Sequence, residues 1–380
     1  MQATVLILCF SDLKKDPRVF RQIYTLKDNY NVIAAGYCDP EINNVKFIKL
    51  AEIPGRFGIK KILQLFYLQT RQFEKYYWSK KTFVAAYQQL LKVNCDLILA
   101  NDSDAWPLAI NIAKIKKIKC ICDAHEYTPG EFENSRKWRW LWQKYRTYLC
   151  LKYLTAADAM ITVCNPIAYE YQRVFNLKPV VITNAPSFQE LLPKPIESNI
   201  IKIIHHGLAA PGRKIELMIE MMKYLDQRFT LDFMLVGQGE YFERLRSLAK
   251  FDERIKFIPP VAMVDIANKV NAYDIGLFLL ENNSINANFA LPNKFFEYIQ
   301  GRLMIAIGPS PAMAEYVNQY DLGVIADNFM PQTLAQKLNL ISSEEIWYYK
   351  NQSHKIADKL SANSNNILLN QMIASTLNAI

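Results

Sequence analysis

The chain has 380 residues, of which 51% are hydrophobic and 21% charged, an ordinary globular composition that excludes a low-complexity protein. Its length predicts two domains. Residues 1–200 hold 28 Lys and Arg against 18 Asp and Glu, whereas residues 201–380 hold 17 against 18. Because nearly all of the net charge of +9 lies in the first half, we expect an anionic partner there, such as nucleic acid, an acidic membrane surface or a phosphorylated substrate.

The first residues, MQATVLILCF, have no positively charged segment and no cleavage-like site, so they predict a buried strand and not a signal peptide. No apolar stretch approaches the roughly 18–20 residues that span a bilayer. We therefore expect a cytoplasmic protein and leave open a peripheral position on the inner face of the cell membrane. The seven cysteines are odd in number and lack paired C-x-x-C units, which argues against a disulfide framework or a zinc site. No metal or other cofactor is expected.

Short apolar runs alternate with amphipathic segments along the first half. The runs predict strands at 4–10, 31–36, 96–100, 118–122, 159–163 and 179–182. The segments between them predict helices that include 17–28, 60–92, 105–116, 137–156 and 166–175. Continuous apolar strands separated by helices are typical of a parallel sheet that is covered on both faces.

The alternation restarts after a polar, proline-bearing segment. It predicts strands at 201–205, 231–236, 254–258, 274–279, 303–307 and 322–326, and helices near 213–224, 240–249, 262–271, 292–300, 311–318 and 331–340. We predict an α/β protein with two doubly wound, Rossmann-like domains that face each other across a cleft. The expected boundaries are an N-terminal acceptor-side domain at 1–185, a linker at 186–199, a nucleotide-sugar-binding domain at 200–345, and C-terminal helices at 346–380 that pack back toward the first domain.

Ligands of such sheets bind beyond the carboxyl ends of the strands, so polar residues that follow strands are the candidates for a site. Asp12, Asp16 and Arg18 follow the first strand. Asp16 and Pro17 fit the N-cap and the first position of a helix, which is the structural explanation of this stretch. The functional alternative places Asp12, Asp16 and Arg18 on the acceptor side of the cleft. No glycine-rich phosphate loop follows this strand, so a nucleotide is not expected in the first domain.

His125 and Glu126 follow the strand at 118–122, in the stretch DAHEYTPGEF, and we expect Glu126 on the acceptor side of the cleft. A lone histidine is often structural. At the carboxyl end of a strand it can also donate a hydrogen bond to a substrate oxygen or shuttle a proton near neutral pH.

Two stretches of the second half carry cations beside helix starts. Arg213 and Lys214 follow a strand and a loop that opens at Gly207, where an arginine can grip a diphosphate through two hydrogen bonds and a lysine adds a point charge. In FALPNKFFEYIQG, Pro292 fits the first turn of a helix whose free N–H groups face an anion, and Asn293 and Lys294 add donors. Glu297 lies one turn deeper on the same face and can accept hydrogen bonds from two ribose hydroxyls. The structural alternatives are a solvated basic pair and a helix start with a surface salt bridge.

These stretches resemble those of a family 4 (group 1) glycosyltransferase of the GT-B fold, over most of the chain. The residues that carry the resemblance are SDLKKDPRVFRQ (11–22), DAHEY (123–127), ITNAP (182–186), HHGLAAPGRKIEL (205–217), VGQGEY (236–241) and LPNKFFEYIQGR (291–302). The resemblance implies transfer of a sugar from a UDP- or GDP-sugar to an acceptor, with retention of the anomeric configuration and without a metal. It also implies that Arg213 and Lys214 contact the donor diphosphate.

The resemblance assigns further residues. It implies that Glu297 binds the ribose, that His125 lies beside the donor sugar, and that Gly237 and Gly239 line the loop near the nucleotide. It implies that the backbone at 258–261 flanks the base. Two positions depart from the family pattern: Leu208 stands where many members have an arginine, and Phe289 stands where the first of two glutamates is common. A subset of the family has the form LPNKxFEY, which this chain resembles.

Two basic segments of the first half are rich in aromatic residues, at 56–81 and 136–154. Their aromatic residues include Trp78, Trp138, Trp140, Trp142, Tyr76, Tyr77 and Tyr145, and their cations include Lys60 and Lys61. Basic helices rich in Trp and Tyr suit the interface of an anionic membrane, and helices packed on the sheet are the structural alternative. Nucleic acid is not expected as a partner, because no binding module is recognisable.

We therefore predict a retaining glycosyltransferase that acts on a lipid-linked or cell-surface glycan precursor in polysaccharide biosynthesis. One alternative is an inactive, glycosyltransferase-like subunit that binds a partner, which the departures at Leu208 and Phe289 keep open. The other is a nucleotide-sugar epimerase, which needs several catalytic carboxylates and histidines in the cleft.

Overall fold

The computed structural model describes residues 2–52, 60–196, 199–281 and 284–379, and the backbone alone of Lys60 and Lys61. The chain divides into two compact units. Unit 1 consists of Met1–Thr183, Ser284–Asn286 and Asn366–Ile380, and unit 2 consists of Asn184–Asn283 and Ala287–Asn365. The domain boundaries expected from the sequence stay predictions, because a grouping of contacts does not test which segments fold alone.

Within the described part of unit 1, seven parallel strands form one sheet in the order β3-β2-β1-β4-β5-β6-β7. The strands are β1 Thr4–Leu8, β2 Asn31–Gly36, β3 Lys46–Lys49, β4 Leu97–Asn101, β5 Lys119–Ala124, β6 Ala159–Thr162 and β7 Val180–Val181. The central strands β1 and β4 are almost wholly buried, which explains their unbroken apolar sequences. The edge strand β3, KFIK, was not predicted.

The helices of unit 1 cover this sheet. They are α1 Pro17–Leu26, α2 Lys60–Gln69, α3 Phe73–Trp78, α4 Lys81–Leu90, α5 Trp106–Lys116, α6 Arg136–Trp138, α7 Lys144–Lys152 and α8 Asn165–Phe175, with α17 Ala362–Asn378 from residue 366 onward. Asp16 caps α1 by accepting a hydrogen bond from the Val19 amide at 3.2 Å, which confirms the predicted N-cap. The single helix expected at 60–92 is wrong, because the chain turns at Arg71, with φ of +56°, and again at Ser79 and Lys80.

The segment expected as one helix at 137–156 contains a change of helical pitch. Residues Arg139–Gln143 form a π-helical turn between α6 and α7. Such turns are rare and widen the helix locally. Trp140 lies in this turn and is 66% exposed.

Five of the twelve described aromatic side chains of the two basic segments are buried in the interior of unit 1. Tyr76, Tyr77 and Tyr145 are buried, and the rings of Tyr76 and Tyr145 meet edge to face at 4.8 Å. Trp78, Trp138 and Trp142 are half-buried. The structural alternative, packing against the sheet, therefore holds for the three buried tyrosines, and membrane attachment of the segments stays a prediction. Residues 56–59 of the first basic segment, for which membrane contact was also expected, lie outside the described residues.

The end of the chain completes the core of unit 1. Leu369, Met372 and Ile373 of α17 are buried in the same apolar cluster as Val5 and Ile7 of β1. Two hydrogen bonds join α17 to α1, from Thr25 Oγ1 to Asn366 Oδ1 at 2.8 Å and from Asn29 Nδ2 to Asn370 Oδ1 at 3.1 Å.

Within the described part of unit 2, six parallel strands form a sheet in the order β10-β9-β8-β11-β12-β13. They are β8 Ile201–Leu208, β9 Phe229–Val236, β10 Ile255–Phe257, β11 Ile275–Phe278, β12 Met304–Ile307 and β13 Gly323–Ile325. The helices are α9 Glu216–Met221, α10 Glu240–Ala249, α11 Ile266–Val270, α12 Ile285–Asn288 (whose first two residues group with unit 1), α13 Asn293–Gln300, α14 Pro311–Tyr320, α15 Pro331–Leu340 and α16 Ser343–Ile356. The predicted fold class, two parallel-sheet α/β domains, is confirmed.

Helix α13 lies close against β11 because of one glycine. A Cβ atom at Gly276 would come within 2.3 Å of the Tyr298 ring, so only glycine leaves room for this tyrosine on the strand. The Tyr298 hydroxyl donates to the Leu277 carbonyl at 3.1 Å. Pro292 occupies the N-cap of α13, one position before the predicted first turn. These contacts fix the helix that carries Lys294 and Glu297.

Candidate functional site

The main candidate site lies in unit 2, at the carboxyl ends of β8 and β11. Strand order reverses at this point, because β8 pairs with β9 on one side and with β11 on the other. A crevice at such a reversal is where open α/β sheets bind ligands. His205, His206 and Gly207 on β8 and the start of α13 contribute side chains or backbone to this region.

Lys294 is a buried cation at the centre of this site. Its side chain is 4% exposed, and its Nζ lies 3.3 Å from Nε2 of His205 and 5.0 Å from the centre of the Phe278 ring. His205 Nδ1 lies 2.8 Å from the Leu277 carbonyl oxygen. Burial, with the charge of Lys294, lowers the pKa of His205 well below its ordinary value. The imidazole is therefore neutral, donating from Nδ1 to the strand and accepting from the lysine at Nε2.

The charge of Lys294 has no close counter-charge in the described part of the chain, where this lysine forms no ion pair with a carboxylate. Burial lowers its pKa well below the ordinary value, nearby Arg213 lowers it further, and Glu297 opposes both effects. A buried ammonium next to a second cation is unfavourable unless an anion is bound. The site is thus suited to a ligand with negative charge.

Gly207 leaves the space in which the ammonium of Lys294 lies. Its φ of +129° is a conformation that residues with side chains rarely adopt, and a Cβ atom here would come within 2.9 Å of Lys294 Nζ. Both constraints favour glycine at the end of β8.

Glu297 lies one turn beyond Lys294 and is 7% exposed. Its Oε2 is 3.3 Å from Nε2 of His206, but the angles do not satisfy a hydrogen bond, and this nitrogen has no hydrogen-bond partner in the described structure. Burial and the charge of Lys294 lower the pKa of His206 to about 3, so this imidazole is neutral. The Glu297 side chain therefore lies beside a neutral ring.

Arg213 and Lys214 lie on the turn that follows β8. Arg213 is partly buried, and this burial lowers its pKa from the ordinary value. Lys214 has a φ of +46° and its Nζ lies 2.9 Å from Glu281 Oε2. Both of these side chains are nearly half exposed, so this ion pair is weak and can exchange for another anion.

A second feature of unit 2 is a pocket of about 620 Å³ beside the loop that follows β9. Gly237 and Gly239, with φ of +146° and +94°, shape this loop. Gly237, Gln238, Arg246, Phe257, Ile258 and Pro259 are among the lining residues. The pocket lies between the two segments that the family resemblance assigns to the nucleotide loop and the base.

In unit 1, His125 lies in a polar cluster beyond the ends of β4 and β5. Its Nδ1 is 3.2 Å from Asp102 Oδ2, and its Nε2 is 3.0 Å from Asn101 Oδ1 and 3.7 Å from Asp123 Oδ2. Burial lowers the pKa of His125, but Asp102 and Asp123 outweigh it and raise the pKa to about 9. His125 is therefore an imidazolium at neutral pH and can act as a charged hydrogen-bond donor, not as a base.

Glu126 and Glu131 lie next to this histidine in the chain and both resist ionisation. Burial and the proximity of Glu131 raise the pKa of Glu126 to about 8. Burial raises the pKa of Glu131 to about 7, although Arg146 lies 3.1 Å from its Oε2. A carboxyl group that holds its proton near neutral pH can exchange it with a bound hydroxyl group.

The acceptor-side residues that follow β1 have mainly structural contacts. Arg18 is 6% exposed, and its guanidinium donates twice to Asp123, at 2.7 and 2.9 Å, and to the Ile182 carbonyl at 2.7 Å. Asp16 accepts from Ser11 at 3.0 Å as well as capping α1. Asp12 accepts from the Lys14 amide at 3.2 Å and stays partly exposed. These contacts make Arg18 a positioning residue for Asp123, and its place on the acceptor side of the cleft stays a prediction.

The structure thus places Gly207, Arg213, Lys294 and Glu297 around one end of the unit 2 sheet. Asn293 begins α13 and is partly exposed. The sequence analysis missed Asp102, whose φ of +63° turns it back toward His125, although the polar run NDSD directly after β4 was a signal for it. It also missed His205 as the partner of Lys294.

Among the residues that the structure describes, no group of three His, Cys, Asp or Glu side chains is arranged to hold a metal ion. No described helix is long and apolar enough to cross a membrane.

Comparisons with known proteins agree with this architecture. Residues 31–186 match the family model "Glycosyltransferase Family 4". No curated protein sequence matches the chain. Among solved structures, HepE of Anabaena, in complex with UDP-glucose, is 14% identical with a TM-score of 0.72, covering 98% of this chain and 100% of that one.

Two further solved structures are similar over nearly their whole lengths. Sucrose-phosphate synthase of Thermosynechococcus elongatus is 12% identical with a TM-score of 0.69, covering 99% of both chains. WaaG, a glycosyltransferase involved in lipopolysaccharide biosynthesis, is 12% identical with a TM-score of 0.60, covering 96% of this chain and 99% of that one. At these identities the likeness shows the fold. The predicted enzyme class, a glycosyltransferase, is confirmed, because residues 31–186 match the model of glycosyltransferase family 4 and the chain has the GT-B fold.

Proposed function

We propose that the protein is a retaining glycosyltransferase of the LPNKxFEY subset, which moves a sugar from a UDP- or GDP-sugar to a glycan or lipid-linked acceptor. The acceptor is a precursor in polysaccharide biosynthesis, met at an anionic membrane surface. The reaction uses the cations of unit 2 and no metal.

The observation that carries the proposal is the buried amino group of Lys294, which forms no ion pair with a carboxylate among the residues that the structure describes. Its ammonium is held against neutral His205 at 3.3 Å, and Arg213 adds a second positive charge nearby. The diphosphate of a nucleotide sugar supplies the missing negative charge. The N-terminal amides of α13 and the backbone at Gly207 face the same region and add donors without a side chain in the way.

The remaining contacts orient the nucleotide. Glu297 accepts hydrogen bonds from the ribose hydroxyls, since it lies on α13 one turn beyond Lys294. The base occupies the pocket between Gly237 and Ile258. Lys214 leaves Glu281 and turns to the diphosphate.

The chemistry requires stabilisation of a departing diphosphate. The bond between the anomeric carbon and the diphosphate oxygen breaks, and the acceptor oxygen bonds to that carbon on the same face while its proton passes to the departing oxygen. Negative charge grows on the diphosphate as the bond lengthens, so fixed cations stabilise the transition state more than the bound donor. His125, as an imidazolium, donates a hydrogen bond to the donor sugar.

Two of the similar structures favour particular substrates. HepE of Anabaena was solved with UDP-glucose, which favours a UDP-sugar as donor. WaaG is involved in lipopolysaccharide biosynthesis, which favours a glycan of the cell surface as acceptor.

A thermal-shift screen with UDP, GDP, ADP and their sugars tests the donor site. A ligand present at 100 times its Kd adds about 2.7 kcal/mol to the free energy of unfolding, which raises Tm measurably. We expect one nucleotide to raise Tm for the wild type and for Glu253→Gln, an exposed control, but much less for Glu297→Gln. Donor hydrolysis is then followed with the nucleotide found.

The outcomes separate the proposal from its alternatives. Nucleotide binding with hydrolysis or transfer supports the glycosyltransferase. Binding without release of sugar, with or without membranes and acceptor lipid, indicates an inactive subunit, and conversion of the donor sugar to an epimer indicates an epimerase. No shift with any nucleotide refutes the donor site.

A further inference from the structure

Helix α2 of unit 1 leaves an apolar face uncovered. Four aliphatic or aromatic side chains on it are exposed: Ile62 by 74%, Leu63 by 50%, Leu65 by 42% and Phe66 by 51%. Among its described side chains only Leu68 is buried. Positions 62, 65 and 66 share one face of the helix, with 63 at its border. Exposed apolar side chains that are scattered singly are normal, but four on one helical face mark an interaction surface.

Cations lie on one side of this apolar face, in the segment 136–144. Helix α2 packs beside the π-helical turn Arg139–Gln143, which exposes Trp140, and Lys137 and Lys144 are exposed on either side of that turn. The sequence has no Asp or Glu from 53 to 73 or from 134 to 157, although these two stretches contain ten Lys and Arg.

We propose that α2 is a membrane-insertion helix, which places Ile62, Leu63, Leu65 and Phe66 among the acyl chains of an anionic bilayer. Trp140 and the cations of 136–144 lie at the level of the headgroups. The inference rests on the proposed function in one respect: a lipid-linked acceptor is held in the bilayer, so the enzyme must bind there to reach it.

Charge selects the bilayer over a second copy of the chain. In a symmetric dimer the same surface meets itself, so the cations beside α2 would face like charges. An anionic bilayer instead offers opposite charge around an apolar interior, which matches an apolar helix face flanked by Lys and Arg. The inserting residues lie in the basic segment 56–81 singled out in the sequence, but Tyr76 and Tyr77 of that segment are buried and the apolar face of α2 is exposed.

Flotation with vesicles of equimolar phosphatidylcholine and phosphatidylglycerol tests the apolar contribution. We expect the wild type to float with these vesicles and the double variant Ile62→Ser/Phe66→Ser to bind about tenfold or more weakly. Phe251→Ser is the matched control, since Phe251 is 91% exposed but belongs to unit 2. Equal binding of the double variant and the wild type overturns the proposal.

A charge-reversal pair tests the electrostatic contribution. Lys137→Glu/Lys144→Glu is expected to weaken binding to the mixed vesicles, and Lys46→Glu/Lys49→Glu, on the edge strand β3 of the same unit, is expected to leave it nearly unchanged. Equal losses in the two pairs would indicate attraction by net charge alone and would overturn the proposed orientation. Sedimentation velocity without lipid tests whether a second copy of the chain covers α2 instead. A wild-type dimer that becomes a monomer in the Ile62→Ser/Phe66→Ser variant would also overturn the membrane proposal.

The nucleotide screen keeps this inference separate from the proposed function. The α2 variants are expected to retain the Tm rise with the donor nucleotide, because the substitutions lie outside the donor site. If an α2 variant no longer binds vesicles but keeps its Tm rise with the nucleotide, the substitutions have changed the membrane surface and not the donor site. Vesicle binding without any nucleotide response would refute the donor site and leave the insertion helix standing.

Discussion

The ammonium of Lys294 lies 3.3 Å from Nε2 of His205, whose Nδ1 is 2.8 Å from the Leu277 carbonyl. A buried lysine thus has a neutral imidazole as its close partner and no carboxylate in an ion pair within the described residues. The protein contains a natural contrast: Lys350, also buried, pairs with Asp274 at 2.8 Å. The two lysines predict opposite responses to the same substitution.

Lys294→Met is expected to raise the free energy of unfolding by about 1 kcal/mol or more, because it removes a buried charge that opposes folding. Lys350→Met is expected to lower it by roughly 3–5 kcal/mol, because Asp274 is left buried and unpaired. Urea denaturation measures both. The Lys294 variant should also lose its Tm response to the donor nucleotide. Destabilisation of both variants by similar amounts would contradict a role for Lys294 in binding an anion.

Gly207→Ala is expected to cost about 1–3 kcal/mol of stability, since φ of +129° strains any residue with a side chain. It should also weaken nucleotide binding, because the added Cβ would displace the ammonium of Lys294. Gly212→Ala is the control: a Cβ atom there would have no neighbour within 4 Å. Equal nucleotide affinity in the two variants, by calorimetry, would separate Gly207 from the donor site.

Lys214→Ala is expected to lower kcat more than it raises KM for the donor, because its contact with the diphosphate strengthens as the bond breaks. Glu281→Gln removes the competing ion pair at 2.9 Å and is expected to strengthen donor binding without lowering kcat. Steady-state kinetics with the identified donor measure both constants. A Lys214 variant that loses kcat and donor affinity equally would contradict the assignment.

The His125 imidazolium predicts a decline of stability at alkaline pH. Its folded pKa of about 9 lies above the ordinary 6.5, so its contribution is fully present below pH 6.5 and is lost as pH rises through 9. Solvent screens the half-exposed Asp102, which limits the contribution to about 2 kcal/mol. His125→Gln should flatten this part of the profile of unfolding free energy against pH. An unchanged profile between pH 6.5 and 9 would refute the charged state.

Ionisation of Glu126 also lowers the stability of the folded protein, over a lower range of pH. Its folded pKa of about 8 exceeds the ordinary 4.5, so the folded state prefers the protonated carboxyl and stability falls as pH rises from 4.5 to 8. Glu126→Gln mimics the protonated form and should remove that fall. The variant should therefore gain stability over the wild type at pH 8 and not at pH 4. A gain of the same size at both values would point to packing and not to ionisation.

Buried strands could be predicted from the sequence because their apolar runs are continuous and bounded by polar residues. The observed β8 extends to Leu208, beyond the predicted end at 205, since its last residues, His205 to Leu208, do not form an apolar run. Strand β3 escaped prediction because its four residues begin and end with exposed lysines, which also protect an edge strand from pairing with another chain. The breaks inside 60–92 have neither Gly nor Pro to signal them.

The candidate site was predictable where a residue directly follows a strand or begins a helix, as with Lys294 and Glu297. The electrostatic interactions of the site could not be predicted, because they join pairs of residues that are distant in sequence. His205 and Lys294 are 89 residues apart, and Arg18 and Asp123 are 105 apart. Only the fold shows that Arg18 forms an ion pair with Asp123 and that Lys294 forms none with the described carboxylates.

Helix α17 sets an order for the synthesis of the protein. The core of unit 1 is built from the first 183 residues, yet Leu369, Met372 and Ile373 cover part of it. At about 5–20 residues per second, a ribosome needs roughly 10–40 seconds to make the intervening chain. During that interval the apolar surface around β1 stays open on the nascent protein. Unit 1 therefore begins to fold first, but its core is completed only when residues 366–378 have been made.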